Sequence, residues 1–116
     1  MQRLGWAVAL VLACAAGEAT AAPMTNDMDL VYGKYQMAIR AAQLCRGAPN
    51  DDAAWRKWSS YIDAKTNHEL GAGERLTVLE GVKRDVTYLV RRKGCDNDGI
   101  KDMLALYDAE LAGLAK

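Results

Sequence analysis

The sequence contains no phenylalanine, a single histidine (His68) and only two serines, Ser59 and Ser60. Nucleophilic and general acid–base sites most often draw on serine, cysteine and histidine, so few side chains are left from which such a site could be built. We therefore expect a protein that is not an enzyme. Because phenylalanine is missing, tryptophan and tyrosine have to supply the aromatic part of any core.

An excess of either charge is also absent, because 15 Lys and Arg residues balance 15 Asp and Glu residues. A nucleic-acid-binding domain needs a basic face, and anionic membranes attract basic segments, so we expect neither partner. No cluster has metal-ligand spacing, and the Cys-x-x-Cys-His haem motif is missing. Residues 96–99 resemble part of a calcium loop, but Gly94 and Ala105 occupy its first and last ligand positions. We predict neither a metal ion nor another cofactor.

The N-terminal residues follow the three-part pattern of a secretory signal peptide. Arg3 provides the positive charge, residues 4–16 form an apolar run, and small residues precede a cleavage site that we place after Ala21. The run is shorter than the roughly 20 residues that a membrane-spanning helix needs. We predict a cleaved signal over residues 1–21 and a single mature domain over residues 22–116, without a transmembrane segment, in the periplasm or secreted.

Residues 11–14 give an alternative, because they resemble a bacterial lipobox that ends at Cys14. Lipidation of Cys14 would make the protein a membrane-tethered lipoprotein, with the following residues as a short tether.

Two cysteines, Cys45 and Cys95, lie in the mature domain. An even number of cysteines in an exported chain predicts a disulfide, worth about 4 kcal/mol for a loop of this size. The size and the single long-range disulfide are similar to those of the small acid-stress chaperones of the periplasm. This resemblance implies a chaperone function as one alternative and carries over no functional residue.

Apolar residues recur at intervals of three and four positions in four segments, which indicates amphipathic helices over residues 27–45, 51–65, 72–93 and 98–115. No segment has the alternating pattern of a strand. We predict an all-α, up-down-up-down four-helix bundle with one disulfide. This order brings the end of the first helix and the end of the third to one pole, where Cys45 and Cys95 can meet. The third helix should bury this stripe: Leu76, Leu79, Val82, Val86, Leu89 and Val90.

Four aromatic residues, Tyr35, Trp55, Trp58 and Tyr61, are the candidates for a binding face, because tryptophan and tyrosine are enriched at binding hot spots. The alternative is that they fill the core. Gly81 interrupts the third helix at a cost of about 1 kcal/mol relative to alanine. We suggest that it allows a close approach of the tryptophan face.

Together these patterns predict a non-catalytic, protein-binding or accessory protein of the cell envelope, whose partner is another envelope protein. A carrier of a small apolar ligand, bound in a cavity between helices, is the alternative to this function.

Overall fold

The computed structural model describes residues 27–116, and the predicted signal peptide with Cys14 lies outside this range. The described part is entirely helical and contains one disulfide, which confirms the all-α prediction. The four helices are α1 (Asp27–Arg46), α2 (Asp52–Lys65), α3 (Ala72–Lys93) and α4 (Asp98–Leu106). A π-helical turn (Tyr107–Leu111) and a 3-10 turn (Ala112–Ala115) follow α4, so the fourth segment is not one regular helix.

Local capping groups fix where the helices begin and end. The Asp51 side chain accepts a hydrogen bond from the Ala54 amide at 2.9 Å and so satisfies a free N–H at the start of α2. Gly47 and Gly94 follow α1 and α3 with φ values of +64° and +84°. These are left-handed conformations that glycine adopts without a steric penalty, so the chain can turn sharply at both positions.

Helix α1 is the central element, since it contacts each of the other three helices. Helix α2 packs mainly on the 3-10 turn that follows α4. The up-down-up-down order stays a prediction. Every described helix contributes to the apolar core: Tyr32, Tyr35, Ala38, Ile39, Ala41 and Ala42 from α1, Ala54, Trp58 and Ile62 from α2, Val78, Val82 and Val86 from α3, Ile100 and Leu104 from α4, and Tyr107 and Leu111 from the π-helical turn.

The disulfide joins Cys45 in the last turn of α1 to Cys95, which follows α3, with a Cα–Cα distance of 5.9 Å. The predicted pairing is therefore confirmed. The bond holds the C-terminal ends of α1 and α3 together and closes a covalent loop that contains α2 and α3.

The buried face of α3 differs from the predicted one at Leu76, which is 56% exposed. Val82 and Val86 of the predicted stripe are buried, and Val78, which was not predicted, is buried four residues before Val82. Two overlapping apolar stripes run along this helix, and the spacing alone does not distinguish them. Contact with α1 selects the stripe that starts at Val78, which leaves Leu76 on the outer side.

Candidate functional site

The aromatic residues that we considered as a binding face belong largely to the core. Trp58 is completely buried, and its indole Nε1 donates a hydrogen bond to the Leu111 carbonyl at 3.0 Å. Tyr35 is also buried. Trp55 and Tyr61 are only half-buried, and the Trp55 ring packs edge-on against Trp58 with centroids 5.2 Å apart. The four side chains thus form no continuous surface, because filling the core without phenylalanine requires Trp58 and Tyr35 inside.

Tyr35, Tyr61 and Glu110 form a polar cluster between three elements. The hydroxyl groups of Tyr35 on α1 and Tyr61 on α2 donate hydrogen bonds to one oxygen of Glu110, at 2.5 Å and 2.6 Å. These bonds lower the pKa of the Glu110 carboxyl, the bond from Tyr35 contributing most. Burial, together with the bond to Glu110, raises the pKa of the Tyr35 phenol. The ionised carboxylate therefore connects α1, α2 and the π-helical turn.

We expect the stability contributed by this cluster to depend on pH. A carboxyl whose pKa is lowered by folding stabilises the fold above its ordinary pKa and loses that contribution as the pH falls through the folded value. The double substitution Tyr35→Phe and Tyr61→Phe should lower the free energy of unfolding by about 2 kcal/mol at pH 7. The deficit should shrink once the pH falls below about 4.5, where the native protein begins to lose the same contribution.

Urea unfolding of the native protein and of the double variant at pH 7 and pH 3 measures this change in the deficit. Tyr88→Phe is the matched control, because Tyr88 is 60% exposed and its ring is in contact with a cation, at 5.5 Å from Arg92. The same deficit at both pH values would show that the tyrosines stabilise the protein by packing alone.

A groove of about 650 Å³ lies between α1 and α3. Its apolar wall consists of Met37, Val78 and Val82, and the backbone at Gly73 and Gly81 provides further surface. Polar groups complete the lining: Asp29, Glu74, Thr77, Arg84 and Asp85. A site of this volume, with apolar walls and a few polar groups, has the usual character of a small-molecule binding site.

The side of α1 that faces α3 carries three polar residues at helical spacing, Asp29, Gln36 and Arg40. Asp29 and Gln36 are each only 4% exposed. Asp29 Oδ1, Gln36 Oε1 and Arg40 Nε are buried and have no hydrogen-bond partner among the residues described. Such unpaired buried groups are rare and costly, and they often mark a functional site. Sequence reasoning missed this stripe because it used only the spacing of apolar residues to find the packing face of α1. The helical spacing of the polar residues at positions 29, 36 and 40 was the signal that could have indicated it.

Asp29 is the member of this polar stripe that lines the groove. Burial raises the pKa of its carboxyl, and the negative charge of Glu74 on α3 raises it further. The wall near Asp29 therefore combines a desolvated carboxylate with a second acidic group.

Gly81 faces this groove, and the suggestion that it allows a close approach of the tryptophan face is wrong. A Cβ atom added at Gly81 would meet only the Arg84 Nη2 atom, at 3.7 Å, which is an ordinary contact. An added Cβ at Gly73 would have nothing within 4 Å. Both glycines leave space that a ligand can occupy.

Within residues 27–116, no group of three or more His, Cys, Asp or Glu side chains could hold a metal ion, and no helix has the length and apolar character needed to cross a membrane. His68 lies exposed after α2 with φ of +57°. Comparisons with protein-family models, with curated proteins and with solved structures found no match.

Proposed function

We propose that the protein is a non-catalytic binding protein of the cell envelope, and that it binds a small apolar ligand in the groove between α1 and α3. The groove itself carries this proposal. It has a volume of about 650 Å³ and apolar walls at Met37, Val78 and Val82. Ligand sites usually enclose about 300–1,000 Å³.

The proposed location is the periplasm or the medium outside the cell. The Cys45–Cys95 disulfide supports it, since such bonds persist mainly in oxidising compartments. The signal peptide that we predict over residues 1–21 supports it from the sequence. A lipid tether at Cys14 is the alternative form of the same proposal, in which the groove stays available at the membrane surface.

Binding to another envelope protein is the second candidate function. The observation that favours it is the exposure of two large apolar side chains on α3, Leu76 at 56% and Tyr88 at 60%. The buried state of Trp58 and Tyr35 removes the face on which a protein partner was first expected. A concave apolar groove matches a small ligand better than two separate exposed side chains match a protein.

Blocking the groove with Gly81→Leu should weaken ligand binding without unfolding the protein. The new side chain enters the groove, the added Cβ makes only an ordinary contact, and leucine favours a helix more than glycine does. N-phenyl-1-naphthylamine, an uncharged apolar dye, serves as the probe. We expect the native protein to bind one dye molecule with a rise in fluorescence, and the variant to bind at least about tenfold more weakly.

Gly113→Leu is the matched control, because Gly113 is exposed, has nothing within 4 Å of an added Cβ, and does not line the groove. Urea melts of both variants verify that the fold is retained. The absence of dye binding to the native protein, or equal binding by Gly81→Leu, would refute a ligand site in the groove.

A further inference from the structure

We propose that the ligand of the α1–α3 groove is an apolar amine, whose ammonium group binds the carboxylate of Asp29. This inference rests on the proposed function, because it specifies what the groove binds. It commits to a small molecule that has one cationic end and an apolar body.

The first support is the state of Asp29. Its side chain lines the groove and is 4% exposed, and its Oδ1 atom has no hydrogen-bond partner in the described part of the chain. A carboxylate removed from water without a partner destabilises a fold by several kcal/mol. An ammonium group is the complement of such an oxygen, since it donates up to three hydrogen bonds and neutralises the charge.

The second support is the balance of charge along the groove. Among the described residues that line the groove, Asp29, Glu74 and Asp85 are acidic and Arg84 is the only cation. The Arg84 guanidinium already contacts Asp85, with Nε and Oδ1 3.1 Å apart. Asp29 and Glu74 are therefore left as an excess of negative charge, and the charge of Glu74 adds to the burial that raises the pKa of the Asp29 carboxyl.

Glu74 contributes negative charge to the groove, but one of its carboxylate oxygens is already hydrogen-bonded. Its Oε1 accepts a hydrogen bond from the Gly71 amide at 3.1 Å, which caps the start of α3. One of its oxygens is thus engaged in holding the helix terminus. Asp29 has no such bond at its buried Oδ1, so we assign the ammonium contact to the carboxylate of Asp29.

The remainder of the groove sets the apolar end of the ligand. Met37, Val78 and Val82 present carbon and sulfur atoms, and the bare backbone at Gly81 leaves room beside them. Burial of an alkyl or aryl body against these groups contributes about 25 cal/mol per Å² of apolar surface. An inorganic cation or a fully hydrophilic polyamine would leave this surface uncovered.

Three probes with the same ten-carbon chain separate the role of the charge from that of the groove: decylammonium, 1-decanol and decanoate. The two ions are used below their micelle-forming concentrations and 1-decanol below its solubility limit, to displace N-phenyl-1-naphthylamine from the folded protein at neutral pH. We expect decylammonium to displace the dye at a concentration about tenfold lower than 1-decanol does, because one charge-assisted hydrogen bond in a buried site strengthens binding by about this factor. Decanoate should be the weakest of the three.

Asp29→Asn keeps the shape of the side chain and removes its charge. This variant should bind decylammonium and 1-decanol with equal affinity, while its affinity for 1-decanol stays that of the native protein. Asp102→Asn is the control for loss of charge at a distance, since Asp102 is exposed on α4 and does not line the groove. It should retain the preference for decylammonium.

The possible outcomes distinguish failure of the amine inference from failure of the proposed function. Equal displacement by all three probes from the native protein would overturn the amine inference and leave the groove as an apolar site. A preference for decylammonium that survives in Asp29→Asn would overturn the assignment of Asp29. Failure of the dye and of every probe to bind would overturn both the inference and the proposed function.

Discussion

Replacing Trp58 with alanine is expected to lower the free energy of unfolding by about 3–5 kcal/mol. Trp58 is completely buried, its ring packs edge-on against Tyr107 with centroids 6.0 Å apart, and its Nε1 donates to the Leu111 carbonyl. The substitution would leave a large cavity and remove a buried hydrogen bond. A small domain has only about 5–15 kcal/mol of stability, so a large part of it would be lost. Urea unfolding followed by circular dichroism measures the change.

Trp55→Ala is the control, because Trp55 is the other tryptophan of the same helix and is only half-buried. Its Nε1 donates a hydrogen bond to the Asn50 side chain at 2.7 Å, and this bond is exposed to water. Trp55→Ala should lower the free energy of unfolding by only about 1 kcal/mol. Similar costs at both positions would contradict the separation of the two tryptophans into one core residue and one peripheral residue.

Removing the disulfide should have an effect of similar size. The bond connects residues 50 positions apart, and a covalent loop of that length restricts the unfolded chain by about 4 kcal/mol in the chain-entropy model. The paired substitution of Cys45 and Cys95 by alanine should therefore reduce the free energy of unfolding by about this amount. The same loss should follow when a reductant is added to the native protein during a urea melt.

Reductant added to the Cys45→Ala, Cys95→Ala variant is the control and should change nothing. A loss well below about 2 kcal/mol would mean that the unfolded chain is already compact near these two residues, because a compact unfolded state gains little from the cross-link.

The helices could be predicted because the signals for them are local in the sequence. The disulfide could be predicted because two cysteines allow only one pairing. Segment ends were marked by Gly47 and Gly94, and only two cysteines lie in the predicted mature domain. The orientation of α3 was harder, since Leu76 and Val78 both fit helical spacing and only contact with α1 selects between them. The π-helical turn after Leu106 had no signal that we used. Glu110, which accepts hydrogen bonds from both Tyr35 and Tyr61, lies within this turn.

The groove could not be predicted because it depends on how two helices pack. Spacing places Asp29, Gln36 and Arg40 on one side of α1, but their burial arises only when α3 lies over that side. Sequence reasoning also assigned Gly81 to the tryptophan face, because a glycine inside a helix indicates a close approach without showing which element approaches. Among residues 27–116, a Cβ added at Gly81 would meet only the Arg84 side chain of the same helix, so no neighbouring helix approaches closely there.

The hydrogen bonds that join α2 to the residues after α4 have a consequence for the order of folding. Trp58 and Leu111 are 53 positions apart, Tyr61 and Glu110 are 49 apart, and Tyr35 and Glu110 are 75 apart. Contacts between such distant positions require the closure of long loops, which slows their formation relative to local helical turns. We therefore expect residues 107–111 to attach late when the reduced chain folds, and to detach early when the native state opens. Amide protons of α2 should accordingly exchange with solvent at the same rate as those of the π-helical turn, and faster than those of α1.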